Sequence, residues 1–179
     1  MDYFKLSKEI SYALRHAPWE YELELDDEGW VDIEQLLITF RINNQWKHLD
    51  VNDMVKMVEI SDKKRHEISK GKIRALYGHS ITQKIKKRTG TPSSIIYHGT
   101  ARHLVEQILN QGLQPMSRQF VHLSADTDTA FLVGKRKDFS PVILRIDAEK
   151  ALDEGIRFYK GNNTIWLADF IPSEYISIE

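Results

Sequence analysis

The spacing of apolar residues over the first ninety positions predicts a small helical lobe that ends in a β-hairpin. Three helices are expected: over residues 2–16, before Pro18; from Asp32, whose spacing to Gln35 is that of a capping box, through Phe40; and from Asn52 or Asp53. Two strands then flank a loop that contains glycine, with strands over 65–68 and 73–77 and the loop over 69–72. Three helices followed by a hairpin is the layout of a winged helix.

The remaining residues predict a mixed lobe of strands and short helices. Residues 89–94 have the composition of a linker. Strands are expected over 95–97, 120–124, 141–147, 157–159, 165–167 and 176–178; helices from a cap at Thr100 to Gly112, over 126–133 and over 148–154. This order is not a regular βαβ repeat, so the fold class is α+β, with one lobe over 1–88 and another over 95–179.

The composition is that of a globular protein, with 41% hydrophobic and 28% charged residues. There is no cysteine, which excludes disulfides and thiolate chemistry. The amino terminus is not a signal peptide and no apolar run is long enough to span a membrane, so a cytoplasmic protein is expected. The net charge of −1 is unusual for a general nucleic-acid binder, but basic runs such as Lys63–Arg65 and Lys135–Lys137 permit a local phosphate site.

Familiar nucleotide and metal motifs are absent from the sequence. There is no G-x-G-x-x-G, no P-loop and no H-E-x-x-H. The histidines His98, His103 and His122 lack the cysteines or paired spacing that would support a zinc site. A dinucleotide bound by this chain therefore requires another architecture.

Five segments carry side chains suited to chemistry, although each also has a structural explanation. They are Leu14–Pro18 with Gly29–Val31, Lys72–Ser80, Tyr97–Thr100, Val121–Ala125 and Val133–Arg136. Cations at the end of the first helix can satisfy its dipole, a histidine in an apolar strand is often a hydrogen-bonded core residue, and a basic loop can simply be solvated. Taken singly, none of these segments identifies a function.

Taken together, in their order and spacing, these segments resemble the RNA (tRNA) 2′-phosphotransferase family. The likeness covers nearly the whole chain, from Leu6 to Tyr175, and includes Leu-Arg-His, Asp-x-x-Gly-Trp-Val, Lys-Ile-Arg-Ala-x-x-Gly-His-Ser, Tyr-His-Gly-Thr, Val-His-Leu-Ser and Ile-Trp-Leu. Glu22 is a departure, since the family often has glycine there. It lies outside the motifs and affects the shape of a loop more than the chemistry.

The resemblance implies a winged-helix lobe followed by an ADP-ribosyltransferase-like lobe. It implies RNA bearing an internal 2′-phosphate as substrate and NAD as co-substrate, with no metal requirement. The 2′-phosphate attacks C1″ of the nicotinamide ribose and expels nicotinamide; transesterification then yields 2′-hydroxyl RNA and ADP-ribose 1″,2″-cyclic phosphate. The implied catalytic residues are Arg15, His16, Arg74 and Arg136, and the implied NAD pocket comprises His98, Gly99, Thr100, His122, Ser124 and Gly134.

These residue types suit that chemistry. A phosphomonoester carries a charge of about −1.5 to −2 at pH 7, and a guanidinium fork binds two of its oxygens while staying charged. Each donor aimed at the transition-state oxygens is worth on the order of 3 kcal/mol. Gly99 would let the backbone approach the nicotinamide amide, and His98 and Ser124 would reach ribose hydroxyls.

Two other functions remain open at this point. A transferase could leave ADP-ribose attached to nucleic-acid phosphate ends or to protein, an activity that can coexist with the first. A winged-helix module could bind RNA or DNA without catalysis, although such a module has no need of an NAD pocket. Ile165 occupies the position where protein-modifying relatives of this superfamily often carry a glutamate, which favours phosphate acceptors over proteins.

Overall fold

A computed structural model describes all residues, 1–179, and divides them into two compact units. The first unit is Met1–Lys86 and the second is Lys87–Glu179. No helix in either unit combines the length and apolar character that a membrane crossing needs.

The first unit packs three helices against a small antiparallel sheet. The helices are α1 (Tyr3–Arg15), α2 (Ile33–Arg41) and α3 (Val51–Glu59), and the strands are β1 (Val31–Asp32), β2 (His66–Ser69) and β3 (Lys72–Ala75), in the order β1-β3-β2. The apolar stripe of α1 supplies Leu6, Ile10 and Leu14 to the core, where they are fully buried with Ile73 of β3. This packing holds the end of α1 beside the sheet.

Several boundaries in this unit differ from the sequence-based expectation. Asp32 precedes α2, but its side chain makes no capping hydrogen bond, so the predicted capping box with Gln35 is wrong. The reciprocal box lies instead at α3, between Asp50 and Asp53, and α3 begins one residue before the earlier of its two predicted starts. The hairpin loop has two residues, not four, because Lys70 and Gly71 both adopt positive φ, of 49° and 74°.

The second unit is a seven-stranded antiparallel sheet with three helices. Its strands are β4 (Thr89–Gly90), β5 (Ile95–Thr100), β6 (Val121–Ser124), β7 (Val142–Asp147), β8 (Phe158–Lys160), β9 (Ile165–Ala168) and β10 (Ile176–Ile178), and its helices are α4 (Val105–Gln111), α5 (Thr127–Gly134) and α6 (Ala148–Asp153). The strand order is β10-β7-β5-β6-β9-β8-β4. One core cluster includes the fully buried Ile96, Leu123, Leu144 and Phe158.

Two predictions for this unit are corrected by its hydrogen bonds. The segment expected to be a linker contains β4, which pairs with β8 through Thr89 and Gly90. Thr100 does not cap a helix; it is the last residue of β5 and pairs with Val142. The chain instead enters α4 through a short 3₁₀ turn, Arg102–Leu104, that follows Ala101. The α+β class is confirmed.

Candidate active site

The carboxyl end of α1 holds two of the predicted site residues, Arg15 and His16. Arg15 is the last residue of the helix and is only 9% exposed, with its guanidinium 5.0 Å from the centre of the Tyr77 ring. The carbonyl of Arg15 accepts a hydrogen bond from the Ser80 amide (2.9 Å), and Nδ1 of His16 lies 2.7 Å from the Ser80 hydroxyl. The segment after β3 is thereby fixed to the end of α1. Ser80 belongs to a motif noted in the sequence, but it was not expected among the site residues.

A buried histidine lies beside this cluster. Nε2 of His66 and the Ser11 hydroxyl form a 3.0 Å hydrogen bond between β2 and α1. Burial, together with the positive charges of Arg15 and Arg65, lowers the pKa of His66 to about 3, so its imidazole is neutral at pH 7. The charges of Arg15 and Arg65 therefore both act on His66. The sequence analysis treated Arg65 only as part of a basic run.

Arg74 has a different environment from that expected of a phosphate ligand. Its neighbours Ile73 and Ala75 are buried in the core with α1, so the alternation of β3 places Arg74 on the opposite face. There it donates to Glu67 at 2.8 and 2.7 Å, and its guanidinium lies 4.4 Å from the centre of the Trp30 ring. A second carboxylate, that of Glu28, is 4.0 Å away. The charge of Arg74 is therefore largely compensated.

In the second unit, β5 and β6 are neighbours that pair at a single position. Tyr97 is opposite Ser124, whereas β5 pairs with β7 at six positions and β6 pairs with β9 at four. The imidazole of His98 occupies the place where the ladder stops, donating from Nδ1 to the main-chain carbonyl of His122 at 2.8 Å. A strand pair that opens in this way leaves backbone and side-chain polar groups available for a ligand.

The two histidines here have defined hydrogen-bonding roles. A carbonyl only accepts, so Nδ1 of His98 carries the proton; Nδ1 of His122 likewise donates to the carbonyl of Phe120 (3.0 Å). Burial lowers the pKa of His98 and the nearby charge of Lys137 lowers it further, against the opposing effect of its hydrogen bond to His122. In the neutral form of each ring, Nε2 is then the hydrogen-bond acceptor, which suits a hydroxyl donor.

Gly99 and Gly134 are required by the packing of α5 on β5. A Cβ placed on Gly99 would lie 1.8 Å from the carbonyl oxygen of Ala130, and one placed on Gly134 would lie 2.7 Å from Cβ of Pro141. The two glycines also lie against each other, since the Gly99 Cβ would be 3.0 Å from the Gly134 amide nitrogen. The missing side chain of Gly99 thus accommodates the helix, a reason different from the close approach of a ligand given above.

Arg136 lies in an exposed loop after α5, in which Asp138 is bonded to Arg102. Asp138 accepts three hydrogen bonds from Arg102, from its amide, Nε and an NH₂ group, each of 3.0 Å. It also accepts from the amide of Ser140, and these bonds, those of Arg102 first, hold the pKa of Asp138 well below its usual range. Arg136 itself forms no ion pair, so its guanidinium is available to an anion.

The structure therefore groups the predicted residues within two units. Arg15 and His16 are together in the first unit, and Arg74 faces away from α1 in the same unit. The second unit contains Arg136 and the predicted NAD-pocket residues, of which His98 and His122 are linked directly, Ser124 is 3% exposed opposite Tyr97, and Thr100 ends β5. Ile165 lies directly across from Ser124 on β9.

Comparison with known proteins identifies the family. Residues 2–170 match the family described as "RNA 2′-phosphotransferase, Tpt1 / KptA family". A probable RNA 2′-phosphotransferase of Acetivibrio thermocellus is 60% identical over all of this chain and 98% of its own length. Proteins of the same description from Bacillus thuringiensis subsp. konkukian and Pyrococcus furiosus are 56% and 39% identical, over 98% and 97% of this chain and 95% and 94% of their own lengths. The chain belongs to the RNA 2′-phosphotransferase family and is an enzyme of that class.

Proposed function

We propose that this enzyme removes an internal 2′-phosphate from RNA by transferring it to the ADP-ribose part of NAD. The observation that carries the NAD assignment is the open ladder between β5 and β6, where His98 and His122 present ring nitrogens in defined states. NAD would supply an electrophilic ribose carbon whose leaving group is nicotinamide. We further propose that the first unit is a winged helix, on the order of its three helices and hairpin, and that the second is ADP-ribosyltransferase-like.

The 2′-phosphate is assigned to Arg15, His16 and Arg136, with Arg74 as the fourth proposed residue. The phosphate arrives ionised, so the protein has to hold and orient it more than to deprotonate it. Arg15 is restrained by Tyr77 and by the bond from Ser80 to its carbonyl, so little freedom is lost when it binds an oxyanion. His16, at 2.7 Å from the Ser80 hydroxyl, is placed to donate a proton or a hydrogen bond to a phosphate oxygen.

Arg65 is the alternative to Arg74 as the arginine that binds the 2′-phosphate together with Arg15 and Arg136. Arg74 is paired with Glu67 and lies on the face away from α1, and a phosphate would have to displace that carboxylate. Arg65 forms no ion pair, and its charge acts on His66 together with that of Arg15. Replacing each in turn with alanine separates them: the true ligand should lower turnover about a hundredfold, as expected for loss of one transition-state donor.

The donor set near β5 and β6 fits a dinucleotide ribose. Nε2 of neutral His98 can accept a hydrogen bond from a ribose hydroxyl, and the Ser124 hydroxyl can donate or accept one. The lowered pKa of His98, caused first by burial, favours the neutral ring that presents this acceptor. Ile165, opposite Ser124, brings an apolar side chain to this position, where a carboxylate would be needed to activate a neutral acceptor.

The proposal is tested by product analysis with RNA that carries one internal 2′-phosphate. With NAD, we expect nicotinamide, 2′-hydroxyl RNA and ADP-ribose cyclic phosphate in equal amounts. Without NAD, no phosphate should leave the RNA. Release of inorganic phosphate in the absence of NAD would overturn the NAD assignment while leaving the family membership intact.

A second activity on nucleic-acid phosphate ends is also proposed. The same guanidinium groups that bind an internal 2′-phosphate can bind a terminal phosphate. The second step requires the RNA oxygen that leaves to be held in line with the attacking 2″-hydroxyl, and a site shaped for an internal 2′-oxygen does not hold the oxygen of a strand end in this way, so ADP-ribose would remain attached. A stable ADP-ribosylated oligonucleotide, seen by mass spectrometry with a 5′-phosphorylated strand, is the expected product; its absence at high enzyme concentration would refute this activity.

A further inference from the structure

A cavity of about 250 Å³ lies in the first unit, between the start of α1 and the segment that follows α3. Its lining combines apolar, hydroxyl and cationic side chains, among them Phe4, Ser7, Met57, Ile60, Lys63 and Arg65. Apart from Arg65, none of these has a role in the proposed reaction. A cavity of this size is large enough for a planar heterocycle.

Ser7 indicates that a ligand in this cavity carries a polar group where it meets the buried Ser7 hydroxyl. The residue is 5% exposed, and its hydroxyl has no hydrogen-bond partner in the protein. A buried hydroxyl without a partner is unfavourable, so a ligand whose edge bonds to Ser7 gains the hydrogen bond that the fold does not provide.

Phe4 indicates that the occupant is planar. Its ring is 65% exposed, and Nζ of Lys8 lies 4.4 Å from the ring centre. Lys8 covers one face of the ring, and a base would stack on the other, as the bases of single-stranded nucleic acids stack on aromatic side chains in basic grooves. Met57 and Ile60 provide further apolar surface in the lining of the same cavity.

The cavity lies near the proposed phosphate ligands. Ser7, Ser11 and Arg15 share one stripe of α1, so Ser7 and Arg15 are roughly 12 Å apart along the helix. Arg65 connects the two regions, because it lines the cavity and its charge acts with that of Arg15 on His66. A nucleotide close to the phosphorylated one can therefore reach the cavity.

The geometry points to a nucleobase site. We infer that the base of a nucleotide adjacent to the 2′-phosphate enters this cavity, stacks on Phe4 and bonds to Ser7, while Lys63 and Arg65 attract the neighbouring backbone phosphates. Asp62, also in the lining, would repel a phosphate inside the cavity and can accept from the exocyclic amino group of a base. This inference rests on the proposed function, since it requires RNA as the substrate.

The test combines abasic RNA with variants of the cavity. Short RNAs with one internal 2′-phosphate are prepared intact, or lacking the base of the nucleotide on the 5′ or the 3′ side. With the wild-type enzyme, removing one of these two bases should raise KM about tenfold with little change in kcat. Phe4→Ala should raise KM for the intact RNA by a similar factor, and the abasic change should then add nothing. Ser7→Ala should act in the same direction, several-fold.

Ile38→Ala is the matched control, because Ile38 is 64% exposed on α2 in the same unit and does not line the cavity. It should respond to the abasic RNA as the wild type does. Equal KM for intact and both abasic RNAs, or effects of Phe4→Ala and base removal that multiply, would overturn the inference. Anisotropy measurements of RNA binding without NAD give the same comparison, so the inference is decided even if the NAD-dependent reaction fails.

Discussion

Replacing Gly99 with alanine tests whether this glycine accommodates α5 or a bound dinucleotide. The new Cβ would lie 1.8 Å from the carbonyl oxygen of Ala130. Cβ atoms in proteins essentially never approach another heavy atom more closely than 3.0 Å. The last turns of α5 would therefore have to move by about 1.2 Å, the difference between these two distances. Because the obstacle is helix backbone, no side-chain rotation can relieve it.

The expected cost follows from this geometry. Overpacking costs about 1–3 kcal/mol, and a clash with backbone belongs at the upper end. Alanine also reduces the conformational entropy of the unfolded chain, which stabilises the folded state by about 0.4–1 kcal/mol and offsets part of this cost. The net loss of about 2 kcal/mol corresponds to a fall in Tm of roughly 8–16 °C if the second unit unfolds on its own.

Thermal unfolding and NAD titration, measured on the same preparation, separate the two roles. Gly155→Ala is the control: it has open space around it but a φ of +97°, so it should lose only the strain of a left-handed alanine, about 1 kcal/mol. If Gly99→Ala unfolded within about 2 °C of the wild type and yet no longer bound NAD, the packing argument would be refuted and direct approach of the ligand supported.

Four further predictions follow from the site. Arg15→Ala should lower kcat on 2′-phosphorylated RNA at least a hundredfold, with a fold preserved by circular dichroism; near wild-type turnover would remove it from the site. Asp138→Asn should lower turnover several-fold by releasing the loop that carries Arg136, and Arg102→Ala should have the same effect. The double variant should be no slower than either single variant, and fully additive effects would show that the pair does not act as a unit. His66 stays neutral in the folded protein but takes up a proton in the unfolded chain below its ordinary pKa of 6.5. The free energy of unfolding should therefore fall as the pH is lowered from 6.5 towards 3, by about 2 kcal/mol at pH 5. Urea unfolding of His66→Gln should show a shallower pH dependence, and an identical slope would contradict the buried neutral state. With labelled NAD, proteins should be modified far more slowly than 2′-phosphorylated RNA, and comparable rates would show that the reading of Ile165 is wrong.

Local patterns in the sequence were sufficient for most elements of this fold. The helical spacing of α1, the presence of a hairpin around Gly71 and the strand at Val142–Asp147 all depend on neighbours within a few positions, although the length of the hairpin loop was predicted wrongly. The same is true of the motifs that identify the family, because they are contiguous and their order along the chain is itself specific. Prediction failed locally at the start of α3, where Asn52 or Asp53 was expected to open the helix, whereas the side chain of Asp50 is the one that accepts from the amide of Asp53.

The tertiary structure decided the features that depend on contacts between elements. Three of these concern the site: the single pairing of Tyr97 with Ser124, the carboxylate partner of Arg74, and the contact of Gly99 with Ala130. The sequence determined that a glycine, an arginine and a histidine stand in these motifs, but the same residue types satisfy either a ligand or a packing requirement. Which requirement applies depends on the atoms that folding brings within a few ångströms, and those atoms belong to other elements of the fold, such as Glu67 of β2 and Ala130 of α5.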